Sequence, residues 1–281
     1  MTVELGRYGL WRRQAGLTPE LAREVEALGY GGIWVGGSPP ADLTEVEGLL
    51  AATDHIAVAT GIVNMWASPA AEVAASYHRI AARYPGRFLL GVGIGHPEAT
   101  REYTTPYRTI VAYLDTLDEH GVPVADRALA ALRPKALAVA AERTAGTHPY
   151  LTTPDHTRTA REQIGDGVLL APEQTAVLTA GADTAQARAT ARAWLGRYLG
   201  LRNYVANLRW LGFTDADLAG GGSDRLVDAL VTRGDAAAVA ARLDEHLAAG
   251  ADHVCVQVLG ERDDADPLPS LRGIAEALGL R

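Results

Sequence analysis

The sequence predicts an α/β fold, a (β/α)8 TIM barrel in which parallel strands alternate with helices. Short apolar runs alternate with amphipathic helical patterns along the chain, and this alternation favours parallel strands joined by right-handed crossovers. There are eight such runs, the number that closes a barrel. A chain of 281 residues is within the range of one barrel, so we predict a single domain over residues 1–281. An open, doubly wound sheet is the alternative.

Each predicted strand is an apolar run bounded by turn residues. In chain order the strands are Leu5–Leu10, Gly32–Val35, Ile56–Asn64, Arg87–Ile94, Arg127–Leu132, Pro149–Thr152, Gly167–Leu170 and His253–Leu259. Helix starts are indicated where a cap residue precedes a proline, at Thr18–Glu20, Ser68–Ala70 and Thr153–Asp155. Helix ends are indicated by Gly29, Gly86 and Gly250.

The connection between the seventh and eighth strands is longer than the others. Two helical patterns, over 184–200 and 203–212, are followed by a glycine-rich turn at 220–224. Active sites of barrel enzymes lie at the carboxyl ends of the strands, where long connections often cover them. We therefore predict an enlarged helical insertion over the site.

Composition narrows the class of protein. The net charge of -8 argues against a nucleic-acid or anionic membrane partner. The single cysteine, Cys255, lies in an apolar run, which predicts a packing role and a reducing, cytoplasmic setting. The first residues lack the apolar segment of a signal peptide, and no run reaches the length of a membrane helix. These features favour a cytoplasmic protein that acts on small molecules.

Three glycines stand at alternate positions of the fourth strand, in the run RFLLGVGIGH. Side chains alternate between the faces of a strand, so Gly91, Gly93 and Gly95 leave one face bare. A glycine inside a strand often marks the close approach of a ligand or of another backbone. The pattern predicts either a ligand on this face or a tightly packed neighbour.

The predicted strand ends are poor in charge. They hold no metal-ligand motif and no nucleophile elbow. Glycine, threonine, tryptophan, histidine and Asn64 remain, a set that suits a flat, mostly uncharged ligand such as a cofactor. His96 is the candidate acid or base, and Glu173 is the only well-placed carboxylate. Thr153 and His156, at a helix start, are candidates for holding an anion.

The chain resembles the bacterial luciferase-like monooxygenase superfamily, in its actinobacterial branch that uses the deazaflavin coenzyme F420. The resemblance lies in the segments TGIVNMWASPAAEVA, ARYPGRFLLGVGIGH, LAALRPKALAVAAERTAGTHPYLTTPDHT and GVLLAPEQ. It implies a (β/α)8 barrel, in agreement with the strand count, and a homodimer is possible by the same resemblance.

The resemblance also assigns residues. It places the cofactor ring across the barrel mouth near Gly93 and Gly95, and it implies a non-prolyl cis peptide at Gly61–Ile62, against the ring. The phosphate contacts of the family match Thr153 and His156. Where relatives have a sequence like Thr-Ser-Gly-Lys, this chain has Thr-Pro-Asp-His at 153–156, without the lysine.

Two further departures from the family bear on the activity. His96 stands where some sugar-phosphate-oxidising relatives have glutamate, and Gly37-Ser38 stand where relatives often have Asp-His. The leading prediction is hydride transfer between F420 and a small organic substrate. An FMN-dependent monooxygenase is the alternative within this class, and a non-catalytic barrel that binds a cofactor or metabolite is the alternative of another class.

Overall fold

A computed structural model describes residues 3–99, 105–179, 185–260 and 265–280. The strands are β1 (Tyr8–Arg13), β2 (Gly32–Gly36), β3 (Ala57–Thr60), β4 (Val63–Asn64), β5 (Phe88–Gly93), β6 (Arg127–Leu129), β7 (Gly146–Thr147), β8 (Leu169–Leu170), β9 (Glu173–Leu178), β10 (Val231–Gly234) and β11 (Val254–Val258). The helices are α1 (Pro19–Ala27), α2 (Thr44–Ala52), α3 (Ala70–Arg83), α4 (Pro106–Glu119), α5 (Pro134–Arg143), α6 (Pro154–Ile164), α7 (Ala185–Gly196), α8 (Arg202–Trp210), α9 (Asp215–Leu218), α10 (Asp224–Leu230), α11 (Ala236–Ala248) and α12 (Leu268–Ala277).

The strands form one curled parallel sheet with helices packed around it. The order is β10-β9-β11-β1-β2-β3-β5-β6-β7-β8, with β4 paired beside β5. Only Ala171 and Pro172 separate β8 from β9 in the sequence. The strand at one edge of the sheet, β8, is therefore followed almost directly by β9, which lies next to the other edge. The predicted α/β class and the parallel pairing are confirmed.

Several predicted boundaries are corrected. The first strand begins at Tyr8 rather than Leu5, and the predicted third strand is divided into β3 and β4. The sixth strand is β7, which precedes the predicted segment 149–152. That segment turns instead, because Pro149 has no N–H for a ladder and Leu151 has a φ of 56°.

The helix starts follow the predicted capping pattern in two cases out of three. The Thr18 hydroxyl accepts a hydrogen bond from the Leu21 amide at the start of α1, and the Thr153 hydroxyl accepts one from the His156 amide in α6. Ser68 does not cap α3, because the helix begins one residue later with Pro69 at its N-cap position. The glycine that ends α1, Gly29, has a φ of 86°, as the left-handed C-terminal position requires.

The segment between β9 and β11 contains helices α7 to α11 and the strand β10. Two helices and a turn were predicted in this segment, but the strand was not. Thr184, the predicted start of its first helix, lies outside the described residues, and the described part of that helix begins at Ala185. The segment has its own apolar cluster, in which Trp194, Leu208 and Leu226 pack with Leu151 of the loop after β7. This contact attaches the segment to the carboxyl ends of the strands.

Apolar residues also fill the inside of the sheet. Trp11, Trp34 and Cys255 form a cluster there with alanines of neighbouring strands. Cys255 is fully buried, as its predicted packing role requires. Among the residues that the structure describes, no helix is both long and apolar enough to cross a bilayer.

Candidate active site

The bare face of β5 is covered by the chain that follows β3. A Cβ atom at Gly91 would lie 1.8 Å from the carbonyl oxygen of Thr60, and one at Gly93 would lie 2.8 Å from Cγ1 of Ile62. At Gly95 a Cβ atom would lie 2.8 Å from Nδ2 of Asn64. The glycines therefore let residues 60–64 approach β5 closely, which is the packing interpretation of the pattern.

The peptide bond between Gly61 and Ile62 is cis, as the resemblance implies. The carbonyl oxygen of Gly61 accepts a hydrogen bond from Nε1 of Trp11 at 3.2 Å. A Cβ atom at Gly61 would lie 3.0 Å from Nε2 of His148 and 2.9 Å from Nε1 of Trp11. Two ring nitrogens thus converge on this glycine at the end of β3.

His148 is held in one tautomer. Its Nδ1 lies 2.7 Å from the carbonyl oxygen of Ala171, and because a carbonyl only accepts, Nδ1 carries the proton. The ring stacks on Trp34 with centroids 4.0 Å apart, and the Trp34 indole donates to Nε2 of His253 at 3.0 Å. Burial lowers the pKa of His148 to about 4. Nε2 of His148 is therefore a neutral acceptor, buried and without a partner among the described residues.

His96 lies just beyond β5, next to the segment between β9 and β11. Its ring centroid is 4.7 Å from that of Tyr204 in α8, and its Nδ1 is buried with no described partner. Burial lowers the pKa of His96, an effect that the nearby Glu98 partly offsets. His96 is therefore neutral at pH 7 and able to accept a proton.

Hydrogen-bonded tyrosines lie beside these histidines. The hydroxyl groups of Tyr150 and Tyr198 are 2.9 Å apart, and the Tyr150 hydroxyl donates to Oε1 of Gln257 at 2.8 Å. Tyr204 packs edge-on against Tyr198, with centroids 5.5 Å apart. Burial raises the pKa of Tyr150 and of Tyr204 well above the usual value. The tyrosines therefore stay protonated and act as neutral hydrogen-bonding groups.

Glu173 follows the end of β8 at Leu170, as predicted, and it is also the first residue of β9. Its side chain is fully enclosed, and its oxygens accept hydrogen bonds from the Thr175 hydroxyl at 2.5 Å and the Leu151 amide at 3.5 Å. Burial raises the pKa of Glu173 to about 8. The side chain is therefore a neutral carboxylic acid at pH 7.

These buried groups predict how stability depends on pH. Burial lowers the pKa of His148 and His253 to about 4 and that of His246 to about 3, against an ordinary 6.5. Only the unfolded chain binds these protons between about pH 6.5 and 4, so stability is lost as the pH falls through that range. The raised pKa of Glu173 acts in the opposite sense, because its neutral form stabilises the fold below 4.5 and that contribution is lost as the pH rises towards 8.

We therefore expect the free energy of unfolding, measured by urea titration, to be largest near pH 6.5. Above that pH it should fall by about 1.4 kcal/mol per pH unit through the Glu173 contribution. The matched variant Glu173→Gln removes this titration and should flatten the curve between pH 6.5 and 8. An equal slope in both proteins would show that Glu173 titrates normally.

At the start of α6, the side chains of Thr153 and His156 bond within the protein. The Thr153 hydroxyl is engaged by the His156 amide, and Nε2 of His156 donates to the carbonyl oxygen of Leu132 at 2.7 Å. His156 is fully buried, and burial lowers its pKa. His156 is therefore a neutral side chain that bonds within the protein, and the phosphate contact that the resemblance implies for it stays a prediction.

The sequence-predicted residues thus fall into two groups. Those near the end of β5 come together: Gly61, Ile62, Asn64, Gly93, Gly95 and His96. Glu173 lies at a strand start, and Thr153 and His156 lie at the start of α6. In the parts of the chain with described coordinates, no group of three metal-ligating side chains occurs.

The sequence did not indicate His148, Tyr150, Tyr198 or Tyr204 as candidate site residues. The last two lie in the segment between β9 and β11, which was predicted to cover the site. Polar and aromatic residues within a predicted covering segment are the signal that would have indicated them. His148 immediately precedes the predicted sixth strand, 149–152, whereas in the structure it follows the carboxyl end of β7.

Comparisons with known proteins give one family match and several structures with the same fold. The profile of the family described as luciferase-like monooxygenase matches residues 12–119, from the end of β1 to the end of α4. No curated protein sequence matches the chain significantly.

Several solved structures share the fold over nearly the whole chain. An F420-dependent secondary alcohol dehydrogenase, in complex with an F420–acetone adduct, has a TM-score of 0.75 at 15% identity, with 99% of each chain covered. A coenzyme F420-dependent tetrahydromethanopterin reductase from Methanopyrus kandleri has a TM-score of 0.70 at 15% identity, covering 98% of this chain and 99% of that chain.

An FMN-containing relative is similar as well. The oxygenating constituent of 3,6-diketocamphane monooxygenase from Pseudomonas putida, in complex with FMN, has a TM-score of 0.66 at 14% identity, with 97% of each chain covered. At such identities the structural matches establish the fold alone. The family match thus supports the resemblance to luciferase-like monooxygenases over residues 12–119, and the structural matches show a shared fold over nearly the whole chain.

Proposed function

We propose that this protein is an oxidoreductase that transfers a hydride between coenzyme F420 and a small organic substrate. The observation that carries the proposal is the pair of buried ring nitrogens without described partners, Nδ1 of His96 and Nε2 of His148, at one end of a parallel sheet. Buried polar atoms are rarely left unpaired, so a pair of them at a functional sheet end favours a bound ligand with complementary groups.

The proposal includes a closed (β/α)8 barrel with an insertion between its seventh and eighth strands. Its support is the stretch 169–178, whose first part pairs with β7 and whose second part pairs with β11. The amide of Ala171 donates to the carbonyl oxygen of Thr147 at 2.9 Å, within the break between β8 and β9. The ligand would then lie at the barrel mouth, as in other barrel enzymes.

The residues at this mouth fit the ring of a deazaflavin better than its phosphate. Ile62 offers an apolar side chain above Gly93, and the neutral His96 lies just beyond β5. Asn64 shapes the turn beside it, since its Oδ1 accepts a hydrogen bond from the Trp66 amide at 2.9 Å. The cofactor would supply a carbon that accepts or donates the hydride, and the internally bonded Thr153 and His156 are left out of the proposed ring site.

His96 is the proposed catalytic base. During alcohol oxidation its neutral ring accepts the hydroxyl proton as the hydride leaves the carbinol carbon, and in the reverse direction the ring returns that proton. The tyrosines keep the mouth uncharged and exclude water. Glu173 is too enclosed to reach substrate, and we assign it a positioning role through its contacts with Leu151 and Thr175.

Two alternatives stand beside this proposal. FMN-dependent oxygenation is supported by the FMN-containing structural relative. A cofactor-binding barrel without turnover is favoured by Gly37 and Ser38 at the end of β2, where the family often has Asp-His. The first differs from the proposal in cofactor, and the second differs in turnover.

A substrate screen with F420 tests the proposal. Secondary alcohols come first, because a structural relative is a secondary alcohol dehydrogenase, and the bleaching of oxidised F420 is followed by absorbance. We expect bleaching that depends on both the protein and the alcohol, and reoxidation on addition of the matching ketone. Binding of F420 without turnover across alcohols, ketones and aldehydes would favour the non-catalytic alternative.

A further inference from the structure

Helix α8 lies across the ends of the strands. Near its start, Nδ2 of Asn203 donates to the carbonyl oxygen of Gly95 at 2.9 Å, just beyond β5. At its end, the Trp210 ring stands edge-on to His156 in α6, with centroids 6.2 Å apart. One face of α8 therefore spans the distance from the end of β5 to the start of α6.

Asn207 lies on that same face. It follows Asn203 by four residues and precedes Trp210 by three, spacings that align side chains along one side of a helix. Asn207 is fully buried, and neither its Oδ1 nor its Nδ2 has a partner among the described residues. An amide has one acceptor and two donors, so an entire hydrogen-bonding group is unsatisfied beneath α8.

Other unsatisfied atoms accompany it at this end of the sheet. Nδ1 of His96, Nδ1 of His156 and Oγ1 of Thr152 are also buried without described partners. Both histidines have a pKa lowered by burial. Because these histidines are neutral, this end of the sheet favours a neutral polar group over a phosphate.

We propose that Asn207 binds the cofactor of the proposed function, with Nδ2 donating to it and Oδ1 accepting from it. The complementary group places an acceptor and a donor side by side, as the imide edge of a deazaflavin or flavin does. The inference rests on the proposed function and adds a binding residue on the covering helix.

The variant Asn207→Leu tests the inference with two readouts. Leucine has nearly the shape of asparagine but no polar atoms, and replacing an unsatisfied buried amide by an apolar group removes a desolvation penalty. We expect the melting temperature of the cofactor-free protein to rise by about 2 °C. We expect the affinity for F420, or for FMN if that is the cofactor bound by the wild type, to fall about 10-fold.

Asn203→Leu is the matched control. It removes the hydrogen bond to the Gly95 carbonyl, so its cofactor-free melting temperature should fall rather than rise. A lower melting temperature for Asn207→Leu would mean that the amide is satisfied inside the folded protein, and it would overturn the inference. Unchanged cofactor affinity would overturn it as well, with the proposed function intact. If the wild type binds neither F420 nor FMN, the proposed function itself fails and the inference falls with it.

Discussion

Replacing His96 with alanine is expected to lower turnover by about 10²–10⁴-fold while leaving cofactor affinity nearly unchanged. His96 is placed just beyond β5, with a buried ring nitrogen that has no described partner. Burial keeps its ring neutral at pH 7, which is the form that accepts a proton from an alcohol. The measurement is the rate of F420 reduction by a substrate identified in the alcohol screen.

Two comparisons separate proton transfer from positioning. His96→Gln keeps much of the size and hydrogen bonding but does not titrate, so it should be nearly as slow as His96→Ala. His78→Ala removes an exposed histidine bonded to the His120 carbonyl and should leave the rate unchanged. In the wild type, alcohol oxidation should slow as the pH falls through the His96 pKa, which lies below 6.5. Full activity in both His96 variants would exclude the acid–base role.

Replacing Gly91 with alanine is expected to lower the free energy of unfolding by about 3 kcal/mol or more. The new methyl group would lie 1.8 Å from the carbonyl oxygen of Thr60, which is backbone and has little freedom to move. Two hydrogen bonds also hold the Thr60 side chain against Gly91. The Thr60 hydroxyl donates to the Gly91 carbonyl oxygen at 2.7 Å and accepts from the Gly91 amide at 2.8 Å. Urea unfolding measures the loss.

Gly48→Ala is the control for this substitution. Gly48 lies within α2, and a Cβ atom there would meet no atom within 4 Å. Alanine should therefore stabilise the helix by about 0.5–1 kcal/mol. If Gly91→Ala were as stable as the wild type, the close contact between residues 60–64 and β5 would be wrong.

The glycine pattern shows what a sequence reveals and what it leaves open. Glycine at every second position indicated that one face of β5 has no side chains, and the structure places that face against Thr60, Ile62 and Asn64. The pattern did not say what occupies the face, because a ligand and a neighbouring backbone both require the absence of a side chain.

Strand prediction succeeded at continuous apolar runs and missed β9 and β10, whose sequences EQTAVL and VTRG mix polar with apolar residues. The strands β5 and β11 lie within the predicted segments, whereas β10, with the sequence VTRG, has too few apolar residues to stand out from the helices on either side. Strand six was placed late because the apolar segment after Pro149 resembles a strand in composition. Composition does not report the left-handed backbone at Leu151.

The candidate site was predictable only in part, because much of it depends on contacts between distant segments. His96 was identified from its position after the glycine strand. Asn207 was not, since its burial depends on how α8 lies across the strand ends. The pKa of Glu173 is another such property, because enclosure by the fold raises it to about 8 and no local pattern indicates this.

Titration of the purified wild-type protein with F420, and with FMN in parallel, tests the central claim most directly. Trp11 and Trp34 lie at and beneath the proposed ring site, so binding should quench tryptophan fluorescence as well as change the fluorescence of the cofactor. We predict saturable one-to-one binding of F420 that is tighter than that of FMN. Saturable binding of FMN with none of F420, or binding of neither, would contradict the account.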